Sequence, residues 1–392
     1  MRKVLSEQVR RFRLHSHHLD TESSLSLNEA AGICGLQNSP PGAWETAIFQ
    51  RTYCTKEELH YALYQEKDLL QAWSLRGLPV IFPASDSDMY LSALCPKGEE
   101  PWIYTRGITL ALDYMKMTFD EVFTILKYVL PRLHKEYIIS KSCLDETLVE
   151  WMLPYLTQDQ QLRWKSPSLY GTHSRQSVGG AVVSFLLRPA SLMGKVVFTQ
   201  REGVNPVFTS YENWIGHPIT IRKDAVQRLM RTYVHAYGPT TPALFANWLG
   251  CSGKQARRMW KTIEEELMSV QVEGRRAFLL SADEKIVIKE QPLERDLLLL
   301  GGHDPYLDQR DRDILLPKKS LHKLIWQMVS NPGAVVYKGE IIGKWICHVK
   351  GSGLDIDICL WSHSEQEKQI PALAEAYASF RKKTIRTIRI TT

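Results

Sequence analysis

Residues 224–280 read DAVQRLMRTYVHAYGPTTPALFANWLGCSGKQARRMWKTIEEELMSVQVEGRRAFLL. Asp224 opens a helix over 225–237, and Gly238-Pro239 breaks it. Thr241 caps a second helix over 242–249 with Pro242 at its first position, and Gly250 ends it. Ser252 opens a third, over 253–267. In that helix Lys254, Arg257, Arg258 and Lys261 stand at i, i+3, i+4 and i+7, on one face. Ala256, Met259, Trp260, Ile263 and Leu267 take the opposite, buried face. Acids begin only at Glu264, past the basic face, whereas a merely solvated face would interleave them. Two short strands, 271–273 and 276–280, close around Gly274-Arg275. Three helices and then a two-stranded wing is the order of a winged helix, and its last helix is the one that addresses DNA.

The same order occurs at the start of the chain. Residues 24–51 are SLSLNEAAGICGLQNSPPGAWETAIFQR. The pattern predicts a helix over 28–36 with Asn28 as N-cap, stopped by Pro40-Pro41. Gln37, Asn38 and Ser39 are then displayed at a rigid helix exit. A second helix runs over 44–51 and ends on Arg51. Thr55 and Glu58 form a capping box for a third, 56–65. Strands at 69–75 and 79–82 flank Arg76-Gly77, which puts Arg76 at a wing turn, as a DNA contact or a surface ion pair. On residue types alone the Gln-Asn-Ser turn is either an interhelical connection or a neutral site that positions a water or a sugar.

Between these units lies a third set of elements in the same order. Apolar residues at 119, 122, 123, 126, 129, 130 and 133 mark a buried helix face. Further helices are expected over 144–156 and 179–187, and a hairpin from 195–200 and 207–214. The loop 162–180 carries Arg163, Lys165, His173 and Arg175 with Trp164 and Tyr170 interleaved, a composition that suits a phosphate backbone or plain solvent. Beyond residue 300, a hairpin turning at Lys338-Gly339, a helix over 365–380 and a basic tail over 381–389 are expected. His303 and Asp304 could suggest acid/base chemistry, but in this context read rather as anchors of a loop.

Hydrophobic content of 44%, charged content of 23% and a net charge of +6 are those of an ordinary soluble protein that tolerates a polyanion partner. The seven cysteines form no CxxC pair, which points away from zinc ribbons and disulfide frameworks and toward reduced thiols in the cytoplasm. His15, His17 and His18 lack nearby metal-binding partners and read as surface residues. Arg2, Lys3, Arg10, Arg11 and Arg13 read as a solvated helix face or a phosphate contact. No apolar run reaches the ~20 residues of a membrane span, and the first residues lack the apolar core of a signal peptide.

GLQNSP followed by a helix ending in arginine resembles the N-terminal motif of winged-helix DNA glycosylases of the AlkZ/YcaQ type. WSLRG, YGPTTPALFANWLG, LLLGGHDPYLDQRDR and GKWICHVKG resemble later stretches of that family, in the same order, over about residues 8–378. The family carries Gln-apolar-Gln or Gln-apolar-Asp at the first motif. This chain has Gln37 at the first position, Asn38 at the middle and Ser39 at the third. It also has Val80 where the family often has histidine. The resemblance implies a monofunctional glycosylase that hydrolyses the N-glycosidic bond of cationic, N-alkylated purines or crosslinks, without metal or cofactor. Gln37 and Ser39 would be catalytic. The departures at Asn38 and Ser39 favour an alternative, a non-catalytic winged-helix protein for damage recognition or transcriptional regulation.

The expected fold is therefore α+β and mainly helical, with three tandem winged-helix modules over 1–117, 118–222 and 223–300 and a small β-containing region over 301–392. The expected contacts to substrate or DNA are Asn38, Arg51, Arg76, Lys254, Arg257, Arg258 and Lys261. The expected partner is double-stranded, alkylated DNA, met by a cytoplasmic monomer.

Overall fold

The computed structural model describes residues 1–22, 25–171, 176–289, 293–363 and 365–392. The fold is α+β. In the first unit, helices Leu27–Gly32, Ala43–Phe49 and Lys56–Tyr64 precede strands Leu69–Trp73 and Pro79–Pro83. The opening helix is shorter than its pattern suggests. Ser26, rather than Asn28, is its N-cap, in a reciprocal box with Glu29. Gly35 then turns the chain at φ +69°, where a Cβ would sit 2.7 Å from the Val80 side chain. Leu36 and Gln37 consequently form a strand, pairing antiparallel with Ile81 and Val80. Gln37 is thus held by a sheet, not displayed at a helix exit. The Thr55 and Glu58 capping box forms as the sequence implies.

The second unit contains helices Phe119–Val129, Lys141–Met152, Gln158–Lys165 and Val178–Leu192, then strands Val197–Phe198 and Val207–Thr209. Its strands continue the sheet of the first unit. The six-stranded order is Leu36–Gln37, Pro79–Pro83, Leu69–Trp73, Val197–Phe198, Val207–Thr209, Ile138–Ile139. Gln71 opposite Phe198 is the seam. Trp73 crosses it, stacking on Phe208 with centroids 5.3 Å apart, an arrangement worth ~1 kcal/mol beyond the area it buries. The expected basic loop is partly helical. Trp164 is fully buried in the second core and unavailable for stacking on a base. His173 and Arg175 lie outside the described residues.

The third unit has helices Ala225–Tyr237, Pro242–Leu249 and Gly253–Trp260 and strands Leu267–Val272 and Arg275–Leu280. Thr241 and Ser252 cap as expected, whereas the Asp224 side chain makes no capping bond. The basic helix ends at Trp260 and tightens into 3-10 turns over Lys261–Glu266. The start of the chain belongs to this unit in space. Arg2–Val4 pairs parallel with Leu267–Val272, and Val9 and Phe12 of the helix Ser6–Ser16 pack on Val270, Val272 and Leu279. Arg13 is consequently buried rather than solvated. Its guanidinium meets Asp311 at 2.7 and 3.0 Å and the carbonyls of Tyr237, Gly238 and Pro239. His17 is buried too, packed edge-on against Tyr237 and Tyr306.

The last region is larger than a hairpin. Leu297–Leu300, Gly333–Tyr337, Glu340–Lys350, Gly353–Leu360 and Thr384–Thr391 form one five-stranded sheet in that order. The stretch expected as a basic tail is its edge strand, parallel to Gly353–Leu360, and Ile385, Ile388 and Ile390 pack in the adjoining core. The helix Ile370–Phe380 lies beside it and sends Phe380 onto Phe49 of the first unit at 4.5 Å. Among the described residues no helix is long and apolar enough to cross a membrane.

Candidate active site

Pairing of Gln37 with Val80 fixes the backbone, and the following turn places the side chains. Asn38 is buried. Its Oδ1 accepts from the Gly42 amide at 2.7 Å and its Nδ2 donates to Gln71 Oε1 at 3.1 Å. Asn38 therefore braces the turn, with both ends of its amide engaged, and it also lines the cleft beside that turn. Gly42, at φ +89°, starts the next helix in a conformation that side chains rarely adopt.

Gln37 is half-buried, and its amide nitrogen has two partners. Nε2 donates to the Ser39 carbonyl at 2.8 Å and to His303 Nδ1 at 2.9 Å. Among the described residues no donor reaches Gln37 Oε1, and no protein group engages the Ser39 hydroxyl. The site thus keeps an acceptor and a hydroxyl for a ligand. His303, which the sequence marks as a loop anchor rather than an acid or base, here meets Gln37. His303 comes from the segment 303–311, which holds Arg51 and Arg76 of the first unit, Arg13 of the N-terminal helix and Tyr237 of the third unit. Burial lowers the His303 pKa, with Asp308 opposing and Arg76 reinforcing that shift. The imidazole is therefore neutral at pH 7.

Asp304, the next residue, does act as an anchor. It takes Arg51 bidentately at 2.7 and 2.8 Å, and both side chains are 0% exposed. Arg51 also donates to the Ala47 carbonyl. The expectation that Arg51 meets DNA is therefore corrected: it is a buried strut between the second helix and the loop at 304. Arg76, at φ 55° in the turn between the strands, pairs with Asp308 at 2.8 Å and caps the carbonyl of Trp248. It ties the first unit to the 303–311 loop and to the third unit, while 19% of its side chain stays exposed.

Beside the turn opens a cleft of about 1040 Å³, walled by Pro40, Pro41, the helix Lys56–Tyr64, and the hairpin tip at Arg201 and Val204. Its cations are Lys56, Arg201 and Arg381, and its acids are Glu45 and Glu57. Lys56 is paired with Glu45 at 2.8 Å. Among the described residues no group of three or more His, Cys, Asp or Glu side chains is arranged to hold a metal.

The basic helix is only partly free. Arg258 is locked bidentately onto Glu100 at 2.8 Å, and Glu100 is 2% exposed, its pKa lowered chiefly by that bond. Lys254 meets Glu99 at 3.2 Å between two exposed side chains. Arg257 and Lys261 are exposed, with no ion pair among the described residues. Gln255 donates to the Leu94 carbonyl, docking the helix on the 94–100 loop. Helical spacing made the four cations visible but could not show the two glutamates facing them from 155 and 158 residues away.

Comparison with known proteins supports what the geometry suggests. The DNA glycosylase AlkZ-like family matches residues 30–381. A similar protein is the interstrand DNA cross-link repair glycosylase of Streptomyces sahachiroi, 24% identical over 358 residues, covering 88% of each chain. The solved structure of the S. sahachiroi DNA glycosylase AlkZ superposes with a TM-score of 0.78 at 19% identity, over 99% of this chain and 100% of that one. This chain belongs to the AlkZ-like family of DNA glycosylases, enzymes that hydrolyse N-glycosidic bonds in DNA.

Proposed function

We propose that this protein removes cationic N-alkylated purines from double-stranded DNA, with Gln37 as the principal catalytic residue and no lyase step. The observation that carries the reading is the free Oε1 of Gln37 on an amide whose nitrogen is fully bonded. A cationic base leaves readily, so the enzyme's work is to orient water and favour an oxocarbenium-like sugar. An amide oxygen accepts a hydrogen bond from water and aims its lone pair at the sugar, but does not remove a proton at pH 7. Ser39 adds one hydroxyl where relatives of the AlkZ/YcaQ type have an amide or carboxylate.

The three helix-and-strand units are, in this reading, winged-helix modules divided near residues 117, 222 and 300, with the N-terminal strand completing the third. The DNA backbone meets the exposed Arg257, Lys261 and Lys254, and the protein acts as a monomer. Repair of interstrand DNA cross-links, for which the S. sahachiroi relative is named, is a further candidate role.

The test is release of N7-methylguanine from duplex DNA, measured by mass spectrometry. Gln37→Ala should abolish release and leave DNA affinity nearly unchanged, because one neutral amide contributes little beside several phosphate contacts. Wild-type protein that binds damaged duplex and frees no base would refute the assignment and leave the non-catalytic reading in its place.

A further inference from the structure

We propose that His303 is a positioning residue that locks the Gln37 amide in the orientation that leaves its carbonyl oxygen for the substrate side. The inference rests on the reading of Gln37 above and adds the residue that makes it work. A backbone carbonyl only accepts, so the Ser39 oxygen 2.8 Å away identifies the amide nitrogen of Gln37. The second hydrogen on that nitrogen points to His303 Nδ1 at 2.9 Å. That ring nitrogen must then be the acceptor, and the proton sits on Nε2. A flipped amide would set its oxygen against the Ser39 oxygen and against Nδ1, three acceptors together. The lock therefore needs His303 in one tautomer.

The surroundings hold that tautomer. The ring is half-buried, and the charged groups that face it are Arg76 from the turn between the first unit's strands and Asp308 from its own loop. Asp304 beside it is committed to Arg51. The backbone is equally confined. A Cβ on Gly302 would lie 2.2 Å from the Asn331 carbonyl oxygen, and one on Gly301 would lie 3.2 Å from the Thr46 side chain. Among the described residues no acceptor competes with Gln37 for the ring by engaging His303 Nε2–H.

Two variants separate this role from simple packing. His303→Asn keeps an acceptor where Nδ1 was and does not titrate. His303→Phe keeps the ring volume and has no acceptor. In single-turnover release of N7-methylguanine, His303→Phe should be slower by about 10²-fold, the scale of a reacting group misplaced by an ångström, with unchanged duplex affinity. His303→Asn should keep most of the rate and lack the fall in rate on acidification expected of the wild type, where a protonated Nδ1 opposes the amide nitrogen. A His303→Phe variant at wild-type rate, or an Asn variant as slow as Phe, would overturn the lock. Nitrogen-15 shifts of the labelled ring provide a readout that needs no turnover. An Nε2–H neutral ring at pH 7 supports the lock, and an Nδ1–H ring or a cation overturns it. Protein that frees no base but shows the Nε2–H ring would sink the glycosylase reading of Gln37 while supporting the lock itself.

Discussion

Four cations on one helix face look interchangeable in sequence, and the structure makes them unequal. Replacing Lys254, Arg257 and Lys261 together by alanine should flatten the salt dependence of duplex binding. Each phosphate contact carries a slope of ~0.9 in log K against log salt, so three contacts carry ~2.7. Between 50 and 200 mM salt that difference amounts to ~40-fold, by which the wild type loses more affinity than the variant. Arg258→Ala should behave differently. Its guanidinium is held by a carboxylate 2% exposed, so removing it strands Glu100 and lowers stability by about 1–3 kcal/mol while leaving the slope alone. Fluorescence anisotropy on one undamaged duplex at several salt concentrations, with a thermal melt of each variant, decides the matter. A slope that the triple variant does not change would remove this helix from the interface. A slope that Arg258→Ala flattens as much as Arg257→Ala does would mean that the Glu100 pair opens on binding.

The buried pair gives a second test: Arg51→Ala should cost about 3–5 kcal/mol, because Asp304 is left charged and dry, and Arg51→Met with Asp304→Leu should cost much less, as read by denaturant unfolding. The third concerns acid. Burial lowers the His17 pKa well below 6.5, so the unfolded chain binds that proton first as pH falls; the contribution of His17 is complete above pH 6.5 and is lost below it, with a slope of up to ~1.4 kcal/mol per pH unit. His17→Gln should flatten the acid side of a melting-temperature profile, and an unchanged profile would show that other groups govern it.

Local chemistry was legible where neighbours in sequence decide it. The caps at Thr55, Thr241 and Ser252, the break at Gly238-Pro239, and the two-faced helix after Ser252 all follow from residues within a few positions. What escaped was set by distant partners. The strand at Leu36–Gln37 exists because Pro79–Pro83 returns to pair with it, and nothing in GLQNSP announces that. Arg13 and Arg51 are typed as surface residues until their carboxylates arrive from residues 311 and 304. Thr384–Thr391 carried a readable signal in its spaced isoleucines, and its arginines masked it. Gln37 was found by resemblance to a family motif; His303 lies in another family-like stretch, LLLGGHDPYLDQRDR, but nothing in that stretch pairs it with a residue 266 positions away.

Gln37 and His303 stand 266 residues apart in sequence, and this separation has a consequence for synthesis. A ribosome delivers the amide early and its imidazole partner only after the three helical units have emerged, at ~5–20 residues per second. The same late segment brings the carboxylates for Arg13, Arg51 and Arg76. A growing chain that has folded its first 300 residues thus still carries three unmatched guanidinium groups and a loose glutamine. The site closes only after residues 303–311 have emerged, so removal of a base waits for that segment.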